Sequence, residues 1–131
     1  MIVPVETALA APYWAAARRG EVLLQRCDDC ARSWHPPAPV CLHCRSLAWS
    51  WVTAAGTGQL RSVTEVMHPV HAQVAGVVPY LVALVALVEG PLFLCGLGAD
   101  VERGALVDGA AVTIGPGTSA GGLVLPMARL A

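Results

Sequence analysis

The sequence of 131 residues contains no lysine, and its eight basic residues are arginines scattered along the chain. Only Arg18 and Arg19 are adjacent, and the formal net charge is −1. Proteins that bind nucleic acid on their own normally carry a basic stripe that neutralises phosphates. The chain also has only one Phe and two Tyr, which is little material for stacking bases. These absences argue against nucleic acid as the ligand.

The chain also lacks an apolar run long enough to span a membrane, although 56% of its residues are hydrophobic. The longest uncharged run, 66–88, is interrupted by histidines, a glutamine and prolines. Its uninterrupted part, 81–88, is far shorter than the ~20 residues of a spanning helix. The N-terminus lacks a basic segment followed by an apolar one, so we expect no signal peptide and a cytoplasmic location. The apolar content suggests instead that a partner covers part of the surface.

Two Cys-x-x-Cys pairs stand out, in the stretch CDDCARSWHPPAPVCLHC. The predicted metal ligands are Cys27, Cys30, Cys41 and Cys44. Each pair can form a tight knuckle, and two knuckles together build a tetrahedral thiolate site for zinc. Iron in a rubredoxin-like site uses the same ligand set and stays open as an alternative. Four thiolates leave no position for water, so we predict one structural Zn²⁺ per chain that helps residues 22–50 to fold.

Other uses of these cysteines fit the sequence less well. Structural disulfides are typical of secreted proteins, and a thioredoxin-like redox site needs one Cys-x-x-Cys pair rather than two matched pairs. His43 lies inside the second knuckle and would be a fifth ligand, so we expect it to be exposed. Cys95 stands among apolar residues and is predicted to be a small buried side chain.

The rest of the chain reads as a helix followed mainly by strands. The alanine-rich segment 7–19 predicts a helix that ends at Gly20. Alternatively, Pro12 is its first residue and the helix proper begins there. Tyr13 and Trp14 are predicted to be core anchors, with contact to a partner as the alternative. Trp49 and Trp51 are two residues apart, which places them on one face of a strand. Five further strands are predicted at 58–68, 80–88, 92–97, 111–114 and 122–127. Five short strands of this kind suit an OB-fold, a small Greek-key barrel.

The order of these parts resembles the DUF35 family. The segments that carry the resemblance are YWAAARRGEVLLQRCDDC, HPPAPVCLHC, GTGQLRSVTEVMHP and VPYLVALVALVEGP, whereas residues 115–131 match only loosely. The resemblance implies an N-terminal helical segment at 1–20, a rubredoxin-like zinc ribbon at 21–53 and an OB-fold domain at 54–131. The predicted fold class is therefore mainly β.

The resemblance also implies a function. DUF35 proteins are similar to subunits of a steroid side-chain aldolase, of an acetoacetyl-CoA thiolase/HMG-CoA synthase assembly and of a phloroglucinol acetyltransferase. In such complexes a thiolase-superfamily (lipid-transfer-protein-like) subunit carries the chemistry, and a CoA thioester is the substrate. We therefore expect a non-catalytic accessory subunit of an acyl-CoA enzyme complex. The alternatives are an OB-fold protein that binds single-stranded nucleic acid and an independent hydrolase or acyltransferase.

A few polar residues are candidates for contact with an acyl-CoA or with the partner's channel, and no residue is predicted to be catalytic. His68 and His71 lie in the loop after the first barrel strand, where an OB-fold can face a ligand. Arg45 lies beside the second knuckle, and a guanidinium suits the phosphates of CoA. Trp34 and His35 precede two prolines and are expected to pack the ribbon against the barrel.

Overall fold

The computed structural model describes residues 5–69, 72, 75–119 and 121–131. One short helix precedes a three-stranded sheet, which is followed by a closed barrel of five strands. The predicted fold class is therefore confirmed. The domain boundaries placed after residues 20 and 53 stay predictions.

Helix α1 spans Ala11–Ala17 and is shorter than the predicted segment 7–19. Pro12 lies in its first turn and has no N–H, which only the first turn of a helix tolerates. The helix therefore begins beside Pro12, close to the alternative start that the sequence allowed, and not at residue 7. After Ala17 the chain turns and leaves the helix at Gly20, whose φ of +75° suits a residue without a side chain.

The ribbon sheet consists of three antiparallel strands in the order β2-β1-β3. They are β1 (Leu23–Cys27), β2 (Ser33–Trp34) and β3 (Trp49–Thr53). The first knuckle connects β1 to β2, and the second lies between β2 and β3. The rings of Trp49 and Trp51 are 5.5 Å apart and perpendicular, as expected for two residues on one face of a strand.

The barrel consists of five strands in the order β4-β5-β6-β8-β7, and β7 closes it by pairing with β4. They are β4 (Thr57–Val66), β5 (Tyr80–Leu87), β6 (Leu92–Leu97), β7 (Ala111–Thr118) and β8 (Val124–Leu130). All pairs are antiparallel except β6 with β8. The last two strands extend further along the chain than 111–114 and 122–127, the ranges that the sequence predicted.

Alternating side chains fill the barrel. Along β5, every second residue from Leu81 to Leu87 is buried, and β6 contributes Phe93, Cys95 and Leu97 from its inner face. Because side chains alternate across a strand, the residues between these lie on the outside of the barrel. The prediction that Cys95 is buried is confirmed, and burial raises the pKa of its thiol to about 12.

Candidate metal centre

The four predicted cysteine ligands come together in the ribbon. Their sulfur atoms all lie within 4.8 Å of one another, with 3.5 Å between Cys27 and Cys44 and 3.7 Å between Cys30 and Cys41. A tetrahedral zinc site with Zn–S bonds of ~2.3 Å has sulfurs about 3.8 Å apart. A disulfide requires about 2.05 Å. The spacing and the donor set therefore fit a tetrahedral metal ion and do not fit disulfides.

The two knuckles share one backbone pattern. The N–H of Ala31 donates to the carbonyl of Cys27, and the N–H of Arg45 donates to the carbonyl of Cys41, both at 3.0 Å. Ala31 and Arg45 each follow the second cysteine of their pair, and each has a positive φ, of 64° and 63°. Positive φ is unusual for residues other than glycine and costs about 1–2 kcal/mol. Each knuckle thus holds one residue in a left-handed turn.

Backbone N–H groups converge on the sulfur of Cys41. The N–H groups of His43 and Cys44 lie 3.3 and 3.4 Å from it. Burial alone would raise the pKa of the Cys41 thiol, but these donors, together with hydrogen bonds from the thiols of Cys30 and Cys44, lower the pKa to about 6. Hydrogen bonds to the charged form favour the thiolate, which is the form that binds metal.

A small core surrounds the cysteines. Trp34 is buried against Cys27 and Cys41, and its ring lies 6.2 Å from that of Trp49 in an edge-on arrangement. The indole N–H of Trp49 donates to the carbonyl of Pro39 at 3.0 Å. Trp34 therefore packs inside the ribbon instead of between the ribbon and the barrel, which corrects part of the sequence interpretation.

Gln25 is a buried structural residue of the ribbon whose role the sequence did not predict. It is 1% exposed, and its side-chain amide donates to the carbonyl of Ala38 and accepts from the N–H of Ala38, both at 2.7 Å. The amide thus fixes the proline-rich loop between the knuckles in the way a neighbouring strand would. The only signal in the sequence is one uncharged polar residue in the otherwise apolar start of a strand.

His35 connects the ribbon to the rest of the protein. Its ring lies 5.3 Å from that of Tyr13 in α1 and 5.1 Å from that of Phe93 in the barrel. Burial lowers the pKa of His35, so the ring is neutral at pH 7. Burial and the nearby Cys95 raise the pKa of Tyr13 to about 12. The prediction that His35 packs the ribbon against the barrel is confirmed, as is the prediction that Tyr13 is a core anchor.

A cleft of about 480 Å³ separates the ribbon from the turn between β5 and β6. Arg32 and His43 lie on its ribbon side, with 3.4 Å between a guanidinium nitrogen and Nδ1 of the imidazole. Glu89 and Pro91 lie on the barrel side. His43 is exposed, as predicted for a residue that is not a fifth ligand.

The other residues predicted to contact an acyl-CoA do not form a common site within the described part of the chain. His68 is exposed just beyond the end of β4, and Arg45 is exposed beside the second knuckle. Neither residue lines the cleft beside Arg32. His71 lies outside the described residues. Contact of these three side chains with an acyl-CoA therefore stays a prediction.

Two family models match successive parts of the chain. Residues 14–50 match the ChsH2 rubredoxin-like zinc ribbon domain, and residues 51–115 match the ChsH2 C-terminal OB-fold domain. A solved structure titled Ltp2-ChsH2(DUF35) aldolase is 34% identical, with a TM-score of 0.80 and 98% of both chains covered. The chain belongs to the ChsH2 (DUF35) family. Residues 116–131, beyond the second match, include most of the segment that resembles the family only loosely in sequence.

Two further relatives extend this comparison. A DUF35 protein of unknown function from Sulfolobus solfataricus shares the fold, with 18% identity, a TM-score of 0.56 and coverage of 82% of this chain and 77% of that one. A probable enoyl-CoA hydratase alpha subunit from Thermomonospora curvata is 44% identical over 85 residues, which are 65% of this chain. This chain spans only 26% of the length of that relative. The described residues include no helix long and apolar enough to cross a membrane.

Proposed function

We propose that the protein is a non-catalytic accessory subunit of a thiolase-like acyl-CoA enzyme complex of the aldolase, thiolase or acyltransferase type. The observation that carries this proposal is the similarity, along 98% of both chains, to the ChsH2 (DUF35) component of a structure titled as an aldolase with Ltp2. The partner would be a thiolase-superfamily subunit of the Ltp2 kind, and the substrate of the complex would be a CoA thioester.

The metal centre supports a structural role for this chain. Four cysteine sulfurs would fill the tetrahedral coordination sphere of one metal ion, and a closed site of this kind would leave no position for a substrate or a reactive water. We therefore propose that Cys27, Cys30, Cys41 and Cys44 hold one Zn²⁺ that stabilises the ribbon. The bound ion would hold the knuckles and the proline-rich loop together.

The surface beside the ribbon supports the proposal that this chain helps to shape the substrate channel of the complex. Arg32 and His43 place cationic or hydrogen-bonding groups at a cleft between the two parts of the chain. Arg45 and His68 are exposed and available to an anionic group of a bound thioester. We propose that Arg45, His68 and His71 contact an acyl-CoA or the partner's channel at separate places on the surface, and that Arg32 and His43 do so at the cleft.

The alternative function, binding of single-stranded nucleic acid, draws support from the barrel fold alone. Four of the eight arginines form ion pairs with carboxylates, at Arg18, Arg19, Arg61 and Arg103. None of the seven aromatic residues is among the exposed large hydrophobic side chains of the described part of the chain. A binding platform for single strands combines a basic groove with accessible aromatic rings.

One set of assays tests the proposal against both alternatives. Acyl-CoA turnover is measured for this chain alone, for the Ltp2-type subunit of the same organism alone, and for the two together. We expect no turnover by this chain alone and the highest turnover for the mixture. Turnover by this chain alone would instead support an independent enzyme. Tight binding of an oligonucleotide with a steep dependence on salt would support the nucleic-acid alternative.

A further inference from the structure

An uncharged apolar surface lies on the outside of the barrel. We call it the leucine face, and it consists of Val82, Leu84 and Ala86 on β5 with Leu92 and Leu94 on β6. Leu84 lies opposite Leu94, and Ala86 lies opposite Leu92, so the side chains form cross-strand pairs. Leu92 and Leu94 are 51% and 64% exposed, which is high for leucines within a strand. The face contains no polar side chain that would favour contact with water.

Along this face, the backbone N–H and C=O groups of alternate residues of β6 point away from β5. The N–H of Leu87 donates to the carbonyl of Pro91 at 3.0 Å, and the pairing of β5 with β6 continues from there without a register shift. In an antiparallel pair only alternate residues exchange hydrogen bonds with the partner strand. Odd-numbered residues of β6 therefore bond to β5. The N–H and C=O groups of Leu92 and Leu94 point to the opposite side.

The pairing of β6 with the next strand of the barrel stops short of Leu92 and Leu94. β8 pairs with β6 only at Gly96 and Leu97. Within the part of the chain that the structure describes, neither Leu92 nor Leu94 has a paired residue on β8. The leucine face therefore adjoins a short open edge of the sheet.

An open apolar edge is a template for pairing with another chain. Many proteins protect such edges with charged side chains or proline, and the stretch 92–94 contains neither. We propose that a strand of the Ltp2-type partner subunit adds to β6 at residues 92–94 and covers the leucine face with alternating apolar side chains. This inference rests on the proposed function and identifies the surface through which the partner would bind.

The size of the face favours a larger partner over a second copy of this chain. The face runs along five residues of β5, 82–86, at ~3.3 Å per residue and across two strands ~4.8 Å apart, which gives a surface of roughly 16 Å by 10 Å, or about 160 Å². A stable interface buries about 800 Å² on each partner. Pairing of two leucine faces alone would thus fall well short of a stable dimer.

The neighbouring cleft offers the additional area that such a partner needs. Pro91, directly before Leu92, lines the cleft together with Leu42 of the second knuckle, and Leu42 is 59% exposed. A partner strand along β6 would therefore lead towards the ribbon. The metal would support this contact because it fixes the knuckle that carries Leu42.

The first test compares two charge substitutions by co-expression with the Ltp2-type subunit of the same organism and size-exclusion chromatography. Leu94→Glu puts a charge into the leucine face. Val107→Glu is the matched control at a residue that is 56% exposed in the connection between β6 and β7. We expect the wild type and Val107→Glu to co-elute with the partner. Leu94→Glu should weaken binding by at least about tenfold, because it would bury an unpaired charge. Zinc content and the melting temperature verify that each variant is folded.

The second test examines the pairing itself by hydrogen exchange of the wild-type complex. The amides of Leu92 and Leu94 should exchange at least about tenfold more slowly in the complex than in the free chain, whereas Phe93, already bonded to β5, should change little. Co-elution with unchanged exchange at these two amides, or co-elution of Leu94→Glu with wild-type affinity, would overturn this inference alone. A wild-type chain that elutes without the subunit would overturn the inference together with the proposed function.

Discussion

Replacement of Gln25 by alanine tests how the loop between the two knuckles is held. The side chain is 1% exposed and makes two hydrogen bonds of 2.7 Å with the backbone of Ala38. Each such bond contributes about 1 kcal/mol, and a buried group that loses its partner costs a further 1–3 kcal/mol. Since Ala38 is only half-buried, water can reach part of it. We therefore expect Gln25→Ala to reduce the stability of the ribbon by about 2–4 kcal/mol.

The effect should also appear in metal affinity. If the ribbon folds when it binds zinc, a loss of 2–4 kcal/mol weakens zinc binding by about 30- to 1000-fold. Competition with a chelator of known affinity measures this change. The matched control is Gln59→Ala, because Gln59 is an exposed glutamine on β4. We expect the control to bind zinc as the wild type does. A Gln25→Ala variant within about threefold of the control would refute the reasoning.

Four further predictions concern the backbone, His35 and the metal. Gly109→Ala should reduce stability by about 1–2 kcal/mol, because residue 109 has a positive φ. Gly20→Ala should cost at least about 1 kcal/mol more, because the new Cβ would also collide with the backbone of β7. Denaturant unfolding measures the stability of both variants. Ala31→Gly should stabilise the metal-bound ribbon by up to about 1 kcal/mol, and an unchanged or lower melting temperature would contradict this. Burial lowers the pKa of His35 below 6.5, so protonation of this ring disfavours the folded state. The melting temperature of the wild type should therefore fall as the pH drops from 6.5 towards the lowered pKa. The fall should be smaller in His35→Phe than in the control His43→Phe. Removal of the metal with a chelator should expose ribbon amides to hydrogen exchange while the barrel stays protected, and a ribbon that stays equally protected would contradict the structural role of the metal.

The sequence was most informative where spacing alone fixes geometry. Two Cys-x-x-Cys pairs predicted a site that the structure assembles with sulfur separations of 3.5 and 3.7 Å. The two-residue spacing of Trp49 and Trp51 placed them on one face of β3. The barrel strands also followed from apolar runs separated by turn residues. These features depend on short-range periodicity, which one sequence displays directly.

Contacts between residues distant in the sequence were harder to foresee. The burial of Gln25 depends on Ala38, thirteen residues later, and nothing in the strand itself indicates that partner. A start of α1 at Pro12 was one of the two starts that the sequence allowed, and the alanine-rich composition alone did not decide between them. The open edge of β6 follows from how far β8 pairs beside it, and that depends on the tertiary arrangement. Sequence patterns do not determine such pairings.

The most direct test of the central claim is co-expression of this chain with the Ltp2-type subunit of its own organism, followed by size-exclusion chromatography and zinc analysis of the eluted fractions. The account predicts that the two proteins co-elute and that the complex contains about one zinc per copy of this chain. A zinc-loaded chain that elutes alone would contradict the accessory-subunit proposal and leave the metal centre standing.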